Sequence, residues 1–153
     1  MIVYRIAKTK HIHDLSGSGA RVYGGRWNDK GIAIIYTSES RALATVEYLV
    51  HVPLSIVPSH ISIASIKIPD GVTPKEISIS DLPASWRDYP PPSELARLGT
   101  HWALTNDTLL LRVPSAVVGQ EFNILINPSH RDMRHVTISH HIEEYKFDVR
   151  LLR

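Results

Sequence analysis

Cysteine is absent from this 153-residue sequence, which excludes a disulfide framework and any thiolate metal site. No run of about 18 apolar residues occurs, so a membrane-crossing helix is not expected. The opening MIVYRIAKTK lacks the long apolar core of a secretory signal, and a cytoplasmic protein is the expectation. A large excess of one charge is also missing. Lys and Arg number 17 against 15 Asp and Glu, a formal net charge of +2. The pI near 9.0 invites a nucleic-acid reading. Phosphate backbones, however, are gripped by a concentrated basic face, and here no block of bases exceeds two neighbours. A mixed, solvated surface is the expectation.

Several chemical signatures are missing as well. Nine histidines are present, with close pairs at His11/His13 and His140/His141, yet none has the H-E-x-x-H or other specific metal-ligand spacing. No metal is therefore expected. The glycine-rich GSGARVYGG fails the dinucleotide fingerprint, because its spacing is wrong and no helix start is read after the glycines. Ser115 follows a proline and has no nucleophile-elbow context. Internal repeats, low-complexity tracts and linkers are all wanting.

What remains is an ordinary globular composition, 43% hydrophobic and 21% charged, in a chain long enough for one well-buried core. Residues 2–6 alternate as a strand, with Ile2, Tyr4 and Ile6 on one face and Val3 and Arg5 on the other. Residues 11–25 read as a loop. An apolar strand at 32–36 precedes a helix capped by Ser38 and running to about Val50, its stripe formed by Ala42, Leu43, Val46, Leu49 and Val50. Prolines between 53 and 58 break that helix. Strand-like residues 60–68 change apolar phase, which predicts a bulge near Ala64 or Ser65. A further strand is expected at 75–79, and residues 81–92, with their Tyr89-Pro90-Pro91-Pro92 run, form a long connection. Ser93 caps a second helix with Leu95, Leu98, Trp102 and Ala103 buried and Gly99 weakening it. Strands follow at 109–113, from Phe122 through Ile126, and at 144–152, where Tyr145, Phe147, Val149 and Leu151 alternate inward. The sum is a compact single α+β domain of many short strands.

The chain is organised around residues 24–50. Gly24 and Gly25 permit close backbone approach, Arg26 can fork onto a phosphate, and Tyr36 ends a strand. Glu47 sits at the edge of the helical stripe, placed to enter a cleft between helix and sheet. Each has a plainer reading: Trp27 a core anchor, Arg26 a surface residue, Glu47 an exposed carboxylate. Arg5 reads either as an anion contact or as an edge-strand arginine in solvent.

In order, the segments YRI (4–6), GGRWN (24–28), YTSES-RALA-TVEYL (36–49), VPSAVV (113–118), EFNILINPSH (121–130) and FDVRL (147–151) resemble the RES-domain toxins of bacterial type II toxin–antitoxin systems. The resemblance spans residues 1–153 as one RES domain. It implies a fold similar to that of ADP-ribosyltransferase toxins and consumption of NAD+ by hydrolysis or phosphorolysis, without a metal. It also implies neutralisation by an Xre-type antitoxin bearing a helix-turn-helix, so that DNA is met only indirectly and the chain works as a toxin–antitoxin complex or a homo-oligomer. Under it, Arg26, Tyr36, Glu47 and Ser115 become catalytic positions, and Arg5, Arg26 and Tyr36 contact NAD+. Transfer of ADP-ribose to a protein is the second reading. An RNA-directed toxin or a non-catalytic binding module is the third.

Overall fold

The computed structural model describes residues 1–53, 55, 56 and 58–152. Among the described residues, eight strands and three α-helices follow in the order β1 (Ile2–Lys8), α1 (Ser18–Tyr23), β2 (Ile35–Ser38), α2 (Arg41–Leu49), β3 (Ile61–Lys67), β4 (Lys75–Glu76), α3 (Ser93–Thr105), β5 (Leu110–Pro114), β6 (Phe122–Ile126), β7 (Thr137–Ile138) and β8 (Glu143–Glu144). The fold is α+β, as the many short strands predict. Several local expectations are corrected. A helix start does follow the first glycine of the 11–25 segment: α1 begins after Gly17, where φ of 69° suits glycine. Asp14 braces its entry by accepting from the Ser16 N–H and the Ser18 hydroxyl, both at 2.8 Å. The cap of α2 is Ser40, whose Oγ accepts from the Leu43 N–H, and Ser38 belongs to β2. The buried side of α2 is Leu43, Ala44 and Thr45, while Ala42 and Val50 are exposed. Positions 54 and 57 of the expected proline break lie outside the described residues.

All pairings in the single sheet are antiparallel except β4 with β5, and the strand order is β4-β5-β6-β2-β1-β3-β7, with β8 also on β3. Between β1 and β3 the register runs unbroken from Ile2 opposite Lys67 to Lys8 opposite Ile61, so the expected bulge is absent. The phase change has another cause: β3 is covered on both sides. Ile66 and Ile68 join Val3, Ile35, Leu110, Ile124 and Ile126 in one core, while Ile61 and Ile63 are buried on the opposite face. A second core holds Trp27, Ile34, Trp86, Leu95, Trp102, Leu111, Val113 and Leu125 under α3. Each fully buried Leu or Ile stabilises the fold by about 2 kcal/mol.

Gly99 is where α3 meets the 24–28 turn. A Cβ there would stand 1.8 Å from the Trp27 carbonyl oxygen, so the helix packs with its bare backbone against the turn. This close approach, set against the weak helix propensity of glycine, accounts for the residue. Pro92, not Ser93, is the N-cap of α3, and Leu98 is 39% exposed.

The expected strand at 144–152 is only the two-residue β8; beyond it a 3-10 turn spans Val149–Leu152, and Val149 and Leu151 are 71% and 51% exposed. Asp148 causes the turn by accepting from the Arg150 N–H and guanidinium. The segment serves as a clasp on the side of α2 that carries Arg41, Thr45 and Tyr48. Arg41 forks onto Glu143 at 3.0 and 2.8 Å, Thr45 hydrogen-bonds the Tyr145 hydroxyl, and Tyr48 stacks on Phe147 at 5.7 Å.

Candidate active site

The inner side of α2 carries Glu47 to the ends of β5 and β6. Ser115, one residue past β5 and 1% exposed, donates its hydroxyl to Glu47 Oε1 at 2.7 Å. Asn123 on β6 donates its amide to the same oxygen at 2.6 Å. Both donors are oriented from behind. Ser115 Oγ accepts from the Val117 and Val118 N–H groups, so its own proton is turned to Glu47. Asn123 Oδ1 accepts from Ser38 Oγ at 2.7 Å, which fixes the amide with its nitrogen toward the carboxylate. Oε1 is thus held twice, and among the described residues Oε2 has no hydrogen-bond partner.

The turn at 24–28 is built just as firmly. Gly25 and Asn28 form a bridge, and Asn28, 1% exposed, donates to the carbonyls of Ala20, Asp29 and Ile32. The Tyr36 hydroxyl accepts from the Trp27 N–H at 3.0 Å and donates to Asn28 Oδ1 at 2.7 Å. Burial pushes this phenol well above its ordinary pKa, so it stays a neutral donor. Gly25 lies against it, since a Cβ there would stand 2.7 Å from the Tyr36 oxygen. Trp27 is the core anchor that its plainer reading makes it: it is 3% exposed and packs in the second core.

Arg26 is half-buried. It donates from Nη1 to the Trp86 carbonyl at 2.7 Å and from Nη2 to the Asp88 carbonyl at 3.2 Å. Burial lowers its pKa, and the nearness of Glu47 and of Tyr36 opposes that shift. Guanidinium, carboxylate and phenol therefore share one site. A guanidinium has five N–H donors, and the carbonyls engage only part of that set.

Arg5 stands apart. Tyr4 is paired with Ser38, and Tyr36 lies two residues from Ser38 on the same face of the sheet, so Arg5 points from the other face, beside Val3. It donates to the Asp14 carbonyl, and burial lowers its pKa against the opposing charge of Asp14.

The structure thus brings Arg26, Tyr36, Glu47 and Ser115 together and adds Asn123, Ser38 and the 81–92 loop, which residue-by-residue reading passed over. Asn123 left a signal: it shares strand phase with Leu125, a fully buried residue, so an amide there faces inward. The INPSH segment is structural, with the Asn127 amide on Ala103 and Asn106 and His130 Nδ1 accepting from the Asp132 N–H. Among the described residues no group of three His, Asp or Glu is placed to hold a metal ion, and no helix is long and apolar enough to cross a membrane.

The architecture is similar to that of a chain in the crystal structure of the M. tuberculosis MbcT–MbcA toxin–antitoxin complex, with TM-score 0.70, 18% identity and coverage of 99% of this chain and 86% of that one. That likeness defines the fold. The RES domain family matches residues 2–148. A Prs ADP-ribosylating toxin of Sphingobium sp. (strain YBL2) is 37% identical over 149 residues, 96% of this chain and 92% of the relative. A Toxin Res of Yersinia enterocolitica is also 37% identical, over 152 residues and 99% of both chains. The chain belongs to the RES-domain toxin family.

Proposed function

We propose that residues 1–153 act as one RES domain, the toxin of a toxin–antitoxin pair, and that it depletes cytoplasmic NAD+ by cleaving the nicotinamide–ribose bond. The observation that carries this reading is the unequal dressing of Glu47: Oε1 is fixed by Ser115 and Asn123, and Oε2 is left to meet a ligand beside Arg26. Glu47 Oε2 would accept from a hydroxyl of the nicotinamide ribose and stabilise positive charge growing at the anomeric carbon. Arg26 would hold the diphosphate through its remaining N–H donors, and Tyr36 would flank the nicotinamide side while its hydroxyl holds the turn; Arg5, on the other face of the sheet, takes no part in this contact.

Cleavage of the bond proceeds through an oxocarbenium-like state, as in glycoside hydrolysis. The bonding pair departs with the pyridine nitrogen, so nicotinamide leaves neutral and needs no general acid. An oxygen of water or phosphate then bonds the anomeric carbon and gives its proton to solvent. Positioning and preorganised charge supply the rate. Loss of one such group costs about 3 kcal/mol, about a hundredfold.

The test is nicotinamide release from NAD+ by purified protein, with and without phosphate. Free ADP-ribose marks hydrolysis and a phosphorylated ADP-ribose marks phosphorolysis. Glu47→Gln and Arg26→Ala should each abolish release while the circular dichroism of the folded protein stays unchanged; full activity in either removes the mechanism. A second reading, ADP-ribosylation of a protein, is favoured by the name of the Sphingobium relative. Label from NAD+ appearing on a macromolecule in lysate selects it. Unchanged NAD+ beside degraded RNA would instead select an RNA-directed toxin.

The partner proposed is an Xre-type antitoxin that plugs the cleft at Arg26 and Glu47, with DNA bound only through that antitoxin. A toxin–antitoxin complex of similar fold supports the pairing. Bound antitoxin should suppress nicotinamide release; a complex that still turns over NAD+ would exclude the plug.

A further inference from the structure

The loop of residues 81–92 holds an arginine with no part in the cleavage proposed above. Arg87 lies between Trp86 and Asp88, the two residues whose carbonyls receive Arg26. Its Nε donates to the Ala116 carbonyl at 3.1 Å, and Ala116 follows Ser115, the residue that holds Glu47. Arg87 therefore bridges the segment gripped by Arg26 and the segment gripping Glu47. Its Cζ lies 5.8 Å from the centroid of the Trp86 ring, which limits its swing.

The contrast with other arginines is informative. Arg41, Arg112 and Arg150 each engage a carboxylate at 2.6–3.0 Å. Arg26 and Arg87, among the described residues, hydrogen-bond only to neutral backbone carbonyls. A carbonyl orients a guanidinium without cancelling its charge. Arg26, from the 24–28 turn, and Arg87, on the 81–92 loop, are thus both held at that loop with their charges intact. Both terminal nitrogens of Arg87 lack a hydrogen-bond partner among the described residues, and the side chain is exposed. Paired terminal N–H groups on an oriented guanidinium suit two oxygens of one phosphoryl group.

We propose that Arg87 is a second phosphoryl-binding residue of the site, acting with Arg26. The phosphoryl group is that of the dinucleotide's diphosphate or of inorganic phosphate serving as acceptor. The inference rests on the NAD+ reading for its role in turnover, but binding of a phosphate compound can be measured without cleavage.

The experiment titrates wild type, Arg87→Lys and Arg87→Gln with ADP by calorimetry, and follows nicotinamide release over a range of NAD+ and inorganic phosphate concentrations. Gln keeps an N–H donor for the Ala116 carbonyl without the charge; Lys keeps the charge. A phosphoryl contact predicts that Gln loses about tenfold in affinity and Lys loses less. Weaker ADP binding with raised KM for NAD+ and little change in kcat assigns the diphosphate. Intact ADP binding with a raised phosphate requirement assigns the acceptor. If Gln matches wild type in both titrations, or if wild type binds neither ADP nor phosphate, the inference is wrong. Binding of ADP by wild type that Arg87→Gln abolishes, in a protein that leaves NAD+ intact, would uphold Arg87 and remove the proposed cleavage instead.

Discussion

Asn123 and Ser115 donate to one oxygen of one carboxylate, and each is itself oriented by a further hydrogen bond. Asn123 thus positions the group proposed to do the chemistry, without needing to touch substrate. Asn123→Ala should leave KM for NAD+ nearly unchanged and lower kcat by roughly ten- to a hundredfold, because the carboxylate can then rotate. Asn123→Asp, which sets a second carboxylate against Glu47, should lose more than Ala; steady-state nicotinamide release compares them. At this scale the sequence was informative where chemistry is unusual for a core. Arg26, Tyr36 and Glu47 stand out as such, Ser115 enters only through the family resemblance, and the structure gathers all four. Asn123 did not, because Phe122, Ile124 and Ile126 mark only one face of the strand, whereas β6 is buried on both. Arg5 was legible as an arginine sharing a strand face with Val3, and its bond to the Asp14 carbonyl could not be foreseen from spacing.

The helices are positioned by backbone contact as much as by side chains. Gly99→Ala would drive a methyl into the Trp27 carbonyl, and since neither backbone can yield cheaply, α3 must lift from the turn. A loss of about 2–3 kcal/mol is expected, well beyond the gain in helix propensity, with thermal melting as the measurement. Nicotinamide release should fall too, because the same turn carries Arg26. Propensity alone makes Gly99 a defect, and only the docked structure shows why the helix has it. The terminal segment teaches a similar lesson. Tyr145 and Phe147 alternate as they would in a strand, but their partners are Thr45 and Tyr48 on α2, and helix-facing aromatics leave the same pattern as sheet-facing ones. The phase change in β3 was visible yet ascribed to a bulge, since a strand buried on both faces carries no single apolar phase.

Taken as a whole, the molecule should respond to acid through the β1–α1 connection. Hydrogen bonds from Ser16 and Ser18 hold the Asp14 carboxyl at about 2, below its usual 3.8. A depressed folded-state pKa contributes stability that is present above the unfolded value and lost as pH falls through the folded one. That contribution should disappear between about pH 4 and pH 2. Asp14→Asn should therefore be less stable than wild type at neutral pH and show a shallower fall in melting temperature across that window. Because Asp14 also faces Arg5, the loss would reach β1 as well as α1. The hydrogen bonds at Glu47 have one more consequence, set by the order in which a ribosome delivers the chain. Glu47 is joined to partners 68 and 76 positions later. A growing polypeptide that has released Glu47 still cannot fix its carboxylate until β6 has emerged and docked. Under the proposed cleavage, loss of NAD+ should therefore begin only after β6 has docked against α2.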